Sequence, residues 1–366
     1  MSKKTKNNIC ILIFGMSMVF TFKMFGQDIH FSQFNETPSL LNPALTGQTH
    51  VIKASAIYRD QWRSVTVPYK TFGASIELKL KASNWESVGN HATKTYKKSF
   101  SRNALGLSFF SDKAGDGNMA TTQANLSYAT FIPVSSKSSL SLGLQASVVQ
   151  RKVDYSKLLW NDQYGAGGYD NSLDHGETFT SGTFIYPDFA AGMLYSYGYN
   201  EKGIGANDQF KMDIGVSMYH LATPQQKYLS ETSERLLAKY IVHGKFLIGI
   251  RNTKFSFAPS YFYALQGSTQ EFVAGSMFRY NFKEDSKYTG YVKGSTFSLG
   301  AFYRNRDAMI AKVMLEFGQY AVGCSYDINT SGLTKVSTSR GGFEVFLRFV
   351  TPSPYLYQKR DKAKFN

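Results

Sequence analysis

Residues 140–150, LSLGLQASVVQ, put Leu140, Leu142, Leu144, Ala146 and Val148 on one side of an extended strand and Ser141, Gly143, Gln145 and Ser147 on the other. Successive strand side chains point to opposite faces, so such a strand meets an apolar medium on one side only. The rhythm recurs along the chain. Phe72, Ala74, Ile76, Leu78 and Leu80 oppose Gly73, Ser75, Glu77 and Lys79. Phe210, Met212, Ile214, Val216 and Met218 oppose Lys211, Asp213, Gly215, Ser217 and Tyr219, and near the end Phe343, Val345, Leu347 and Phe349 oppose Glu344 and Arg348. One face is greasy and the other carries charge.

Read this way, strands are expected at 51–58, 69–80, 103–110, 119–131, 140–151, 187–198, 208–220, 240–251, 254–264, 271–282, 295–304, 309–317, 319–327 and 342–350. Most are longer than the roughly 5 to 6 residues of a typical soluble strand. A soluble sandwich with this many strands would divide into two domains, whereas a membrane-spanning barrel needs strands of about 9 to 11 residues, apolar outside and polar inside. The composition agrees, with 24 Tyr, 29 Phe and 31 Gly in 366 residues: aromatics favour strands and membrane interfaces, and Gly allows close backbone approach. The expected fold is an all-β, transmembrane antiparallel β-barrel of about fourteen strands over residues 51–350. An even strand number puts both ends in the periplasm and points the connections 152–186 and 221–239 outward, with short turns at 252–253 and 317–319 inward. The inward connection 81–102 is longer than this rule expects.

Residues 1–26 begin with Lys3, Lys4 and Lys6 and continue with an apolar run, 9–22, too short to span a bilayer. They read as a secretory signal cleaved near Gly26. Residues 27–50, punctuated by Pro38, Pro43 and Gly47, hold no lasting period. They read as an ordered N-terminal segment, plug-like or periplasmic, with 31–47 closing the periplasmic side. Residues 351–366 read as a periplasmic tail.

The formal charge of +15 falls to +11 without the four leader lysines, and the other bases are scattered singly, with no groove-reading motif. Nucleic acid is therefore not an expected partner; a basic surface facing anionic lipid headgroups or a cell wall is the blander account. Cys10 lies in the leader and Cys324 in a strand, leaving no disulfide to form.

No catalytic, cofactor or metal site emerges. Residues 112–118, DKAGDGN, resemble half a calcium loop, but Ala114 and Gln123 stand where ligands belong, which favours a tight outward turn. The six histidines are far apart, and no nucleophile elbow, P-loop or dinucleotide fingerprint is present. Residues 225–239, with Leu229, Leu236 and Leu237, read as a short amphipathic helix in an outer loop.

Particular strings carry a further likeness. Phe31-Ser32-Gln33-Phe34, Asn42-Pro43-Ala44 with Gly47, Tyr58-Arg59-Asp60-Gln61-Trp62, and Tyr326-Asp327 after Val322-Gly323 occur in the order and spacing of the PorP/SprF family of type IX secretion proteins, which this chain resembles. The likeness continues through 103–117, 188–195 and 342–348. It departs at 65–69, where the family's Gly is missing although Pro68 and Lys70-Thr71 are kept, and beyond the stretch from Val153 to Trp160. The resemblance implies a non-enzymatic outer-membrane barrel working beside the type IX machinery; the alternative reading is a diffusion channel for small solutes, since about fourteen strands enclose a lumen wide enough for one. Members resembling SprF act with a secreted, adhesin-like cargo bearing a C-terminal sorting domain and those resembling PorP contact the periplasmic machinery, and the sequence does not choose between them; a cargo domain is expected to be held by the outer loops, chiefly 152–186 and 221–239. Arg59 and Trp62 are expected to shape the rim, with Arg59 pairing with loop carboxylates.

Overall fold

The computed structural model describes residues 28–63, 67–88, 95–115, 117–135, 137–154, 158–165, 168–170, 172–174, 182–199, 207–226, 234–283, 294–332 and 334–351; the leader and the tail fall outside them. Fourteen antiparallel strands close into one barrel. In chain order they are β1 (Ile52–Gln61), β2 (Tyr69–Val88), β3 (Thr95–Ala114), β4 (Met119–Pro133), β5 (Ser138–Lys152), β6 (Thr183–Tyr199), β7 (Phe210–Tyr219), β8 (Lys239–Gly249), β9 (Phe255–Gln266), β10 (Thr269–Lys283), β11 (Ser295–Arg304), β12 (Ala308–Phe317), β13 (Tyr320–Asn329) and β14 (Arg340–Val350). Each strand pairs with its sequence neighbour, and β1 with β14 completes the cylinder.

The alternation read from the sequence is the alternation of the wall. Leu142, Leu144 and Val148 are exposed on the outside at 40%, 62% and 57%, whereas Ser141, Gln145 and Ser147 are buried inside. Closure satisfies every ladder edge, as a hydrocarbon surround demands. Both ends of the wall lie at one rim, the periplasmic one. The longest connections, 153–182 and 220–238, leave the opposite, external rim, where long loops belong.

The long 81–102 connection has a simple physical form. β2 and β3 keep pairing down to Val88 opposite Thr95, beyond the last residues matched by their outer neighbours, Leu78 with β1 and Asn103 with β4. The hairpin therefore projects past the periplasmic rim, with register shifts between Lys79, Lys81 and Trp85.

The core lies in the lumen. Residues 28–51 run through it from the external mouth to the periplasmic rim, so this segment fills the full height of the barrel and does more than close its periplasmic end. Three short turns of helix compact it: Phe34–Glu36, Pro38–Leu41 and Pro43–Leu45. Phe34 and Leu41 pack with Tyr219, Ile241, Phe262 and Phe302. Phe31 packs with Ile57, Phe110, Met314 and Phe346. At about 25 cal/mol per Å² of apolar surface removed from water, such side chains anchor the segment by roughly 1.5–3 kcal/mol each.

Candidate functional site

The plug is fastened at three levels. The uppermost is at the external mouth, where His220, buried in the turn after β7 at φ 58, lies between two carboxylates. Its Nδ1 is 2.8 Å from Asp188 Oδ2 and its Nε2 is 2.7 Å from Asp28 Oδ2. Arg151 and Lys239 each approach Asp28 to 3.8 Å. Burial opposes charge on His220, but the Asp28 charge and the hydrogen bonds to Asp188 and Asp28 outweigh it and lift the imidazole to about 9. Burial likewise works against the Asp28 carboxylate, yet His220, Lys239 and Arg151 hold it well below the usual carboxylate range.

Below this lies a buried ionic cluster built on the plug's Ser32. The Ser32 and Gln33 amides donate to the two Glu344 carboxylate oxygens at 2.7 and 2.9 Å, and Ser32 Oγ donates to Asp327 Oδ2 at 2.6 Å. Arg59, 1% exposed, reaches Asp327 at 3.3 Å and Glu344 at 3.2 Å and donates to the His30 carbonyl at 2.8 Å. Arg304 adds a 3.0 Å contact to Asp327, and Lys312 donates to the Ser32 carbonyl while lying over the Phe34 and Phe302 rings. Arg304 also meets Glu271 at 3.5 Å and Asp307 at 2.9 Å, so three cations stand among four carboxylates in a buried ion-pair network rather than an exposed pairing, with Asp327 Oδ1 and the Nε atoms of Arg59 and Arg304 left without a hydrogen-bond partner among the described residues.

The third level, toward the periplasm, turns on side chains the wall leaves out. Gly143, Gly192 and Gly215 make a smooth strip against which the Asn42-Pro43-Ala44 turn lies; a Cβ on Gly192 would fall 2.0 Å from Asn42 Oδ1. The buried Asn42 amide donates toward the Met193 and Val216 carbonyls at 3.0 and 3.1 Å, and its Oδ1 accepts from the Ala44 amide at 2.9 Å. Pro43 starts the next helical turn, where its missing N–H costs nothing. Gly47, at φ +67, donates its N–H to Glu77 at 2.8 Å. Glu36 takes both its oxygens to Arg348 at 2.9 Å.

The residues singled out in the sequence thus divide. Phe31, Ser32, Gln33, Phe34, Asn42, Pro43 and Gly47 all belong to the plug, and Arg59 and Asp327 receive it. Tyr58 and Tyr326, their sequence neighbours, face outward at 41% and 42% exposure, as strand alternation requires. Arg59 pairs with strand carboxylates inside the lumen, not with loop carboxylates. Gln61 and Trp62 sit at the external end of β1; the Trp62 amide donates to the Gly341 carbonyl at 2.7 Å, and its ring meets Tyr69 edge-on. Trp160 stands apart in the 153–182 connection, where its carbonyl opens a helical turn at Asn161–Gln163. Buried Gln163 organises that loop, bonding the Leu173 carbonyl and the Tyr169 hydroxyl.

Of the helix expected at 225–239, residues 227–233 lie outside the described residues, and the described ends are not helical: Gln225–Gln226 pairs with Glu234–Arg235 as a two-stranded ribbon, and Leu236 packs on Val149 and Tyr186. Three leucines so unevenly spaced supply no continuous helical stripe, and at Gln225, Gln226, Glu234 and Arg235 the backbone pairs across the ribbon instead. The cluster members Asp28, Asp188, His220, Arg304 and Lys312 were not legible as a group, since 192 residues separate Asp28 from His220.

A family model described as "Type IX secretion system membrane protein PorP/SprF" matches residues 23–349. No curated protein matches the chain. Solved outer-membrane barrels resemble it loosely. A Pseudomonas aeruginosa FadL homologue aligns over 86% of this chain and 94% of its own at 8% identity and TM-score 0.40. A TodX monoaromatic hydrocarbon channel mutant aligns over 85% and 93% at 7% identity and TM-score 0.42, and the NanC porin over 82% and 100% at 9% identity and TM-score 0.35.

Proposed function

From the premise that the chain belongs to the type IX secretion system membrane protein PorP/SprF family, we infer that this outer-membrane barrel is a sealed, non-enzymatic platform. In this reading it binds a secreted, adhesin-like cargo through the cargo's C-terminal sorting domain and supports its export or attachment at the cell surface. One observation carries the reading: the lumen is occupied along its height by the chain's own residues 28–51, tied to the wall by buried ion pairs at both ends. A conduit for small solutes needs a continuous water-filled path, and these side chains stand in it. A rigid frame with a filled centre instead offers two separate faces, one to the periplasmic machinery and one to the exterior.

The external face is where the cargo would be held. In the described part of the 153–182 connection Gln163 ties Leu173 to Tyr169, and exposed apolar side chains stand there, Leu159 at 65% and Tyr164 at 56%, of the kind a partner covers. Deleting residues 160–180 is expected to leave a heat-modifiable, folded barrel in the outer membrane and to release the cargo from the cell surface. Undiminished surface cargo in that strain would refute the reading.

A further inference from the structure

We propose that the external rim from β14 round to β5 is a binding site for a phosphate-bearing glycolipid of the outer leaflet, with its acyl chains seated in the groove directly beneath. The strand register brings this out. Aside from the last residues of β10 and the projecting 81–101 hairpin, both at the periplasmic end, the charged side chains that share the outward face among the described residues are Asp60, Lys70, Lys113, Lys152 and Arg340. All five lie at the external ends of their strands and on one arc.

Asp60 is level with Lys70, Lys70 with Lys113, Lys113 with Ala120, and Ala120 with Lys152. Arg340 stands level with the outward-facing Ile328 beside this row. The single acid is already engaged, with Arg63 at 3.1 Å. The arc thus presents four outward bases, and Arg63 besides, against one paired carboxylate.

Such an arrangement is costly unless something anionic completes it. Like charges directly opposite on neighbouring strands destabilise a sheet, and Lys70 faces Lys113 in that relation. Lys and Arg on the lipid face are costly at the bilayer midplane and nearly tolerated near the interface, so the row marks the headgroup level. Arginine and lysine at that level are phosphate ligands by charge and by donor geometry.

The second observation is independent of charge. Four residues below the row, counted along each strand, begins an outward apolar groove of about 790 Å³. The small side chains Ala74, Ala124 and Ala146 leave it between Phe109, Leu126 and Phe189. At roughly 3.3 Å per residue the groove starts about 13 Å down the strands from the bases, within reach of an acyl chain whose headgroup they hold. Beside Arg340 a further hollow of about 420 Å³ is walled by Tyr58, Tyr326 and Phe343. Bases above and a groove below match one molecule, an anionic lipid with several chains. Because the bases are at the external end, that lipid belongs to the outer leaflet.

The test is native mass spectrometry of the protein extracted from outer membranes in mild detergent, followed by rebinding of bisphosphorylated lipid A, dephosphorylated lipid A or phosphatidylglycerol to delipidated protein. The wild type should retain lipid A and rebind the phosphorylated form at least tenfold better than the other two. K70A/K113A/K152A/R340A should lose that preference while keeping heat-modifiable migration, and A146W should weaken binding with the bases intact. Equal rebinding of phosphorylated and dephosphorylated lipid A by the wild type overturns the proposal without any variant. So does a preference for phosphatidylglycerol, or a folded quadruple variant that binds like the wild type.

Discussion

Arg59 of β1 and Glu344 of β14 are register partners across the seam that closes the barrel, and their side chains meet at 3.2 Å inside the lumen. The same carboxylate accepts the Ser32 and Gln33 amides of the plug. One carboxylate, 0% exposed, thus joins the seam of the wall to the plug.

Removing one partner should cost far more than the pair is worth. Arg59→Ala takes the paired cation from the buried Glu344 and leaves Asp327 to Arg304, and about 3–5 kcal/mol of destabilisation is expected. Arg59→Lys keeps the charge but loses the fork that reaches both carboxylates, so an intermediate loss is expected. The temperature at which heat-modifiable migration is lost should order as wild type, Arg59→Lys, Arg59→Ala; an unchanged Arg59→Ala would contradict the role assigned to the cluster.

The fastening at the external mouth should depend on pH. Because His220 is raised to about 9 from an ordinary 6.5, its contribution is complete below about 6.5 and is lost as pH rises through 9. Asp28 is depressed, so its contribution is present above about 4 and is lost on acidification below its ordinary range. Protease access to residues near Asp28 should be lowest between these limits and should rise from pH 8 to 10. In His220→Gln the alkaline rise should vanish, with access high throughout.

Gly47 pairs a left-handed backbone with a close approach to the wall: a Cβ there would lie 2.3 Å from Ala104 Cβ. Gly47→Ala should cost about 1–2 kcal/mol for the left-handed conformation alone, and more from the overlap. Adding Ala104→Gly should recover the overlap part only. Midpoints of urea unfolding in the two single variants and the double variant should therefore be non-additive; strict additivity would mean the two residues do not touch.

Nitroxide labels placed singly at 144–148 should report the surroundings of the wall directly. Collisions with dissolved oxygen should be frequent at Leu144, Ala146 and Val148 and rare at Gln145 and Ser147, with a period of two. A flat profile would contradict an outward hydrocarbon face.

The wall was legible because lipid imposes one uniform demand on every strand. The reading 140–151 meets Ser138–Lys152, and 309–317 meets Ala308–Phe317. Residues 81–88 and 95–102 escaped it because they extend beyond the stretch where neighbouring strands pair with them. The plug was legible as an ordered segment from its aromatic residues and prolines, but its path was not. Which carboxylate meets Ser32 is fixed by closure of the barrel, which brings together residues 312 positions apart. His220 read as an isolated histidine for the same reason. The lysines at 70, 113 and 152 read as scattered until strand register set them in one row.

Conductance across a planar bilayer tests the sealed-barrel account most directly. The intact protein should insert without steady current steps, and deletion of residues 31–47 should produce a steady open pore. A stable conductance from the intact protein would contradict it.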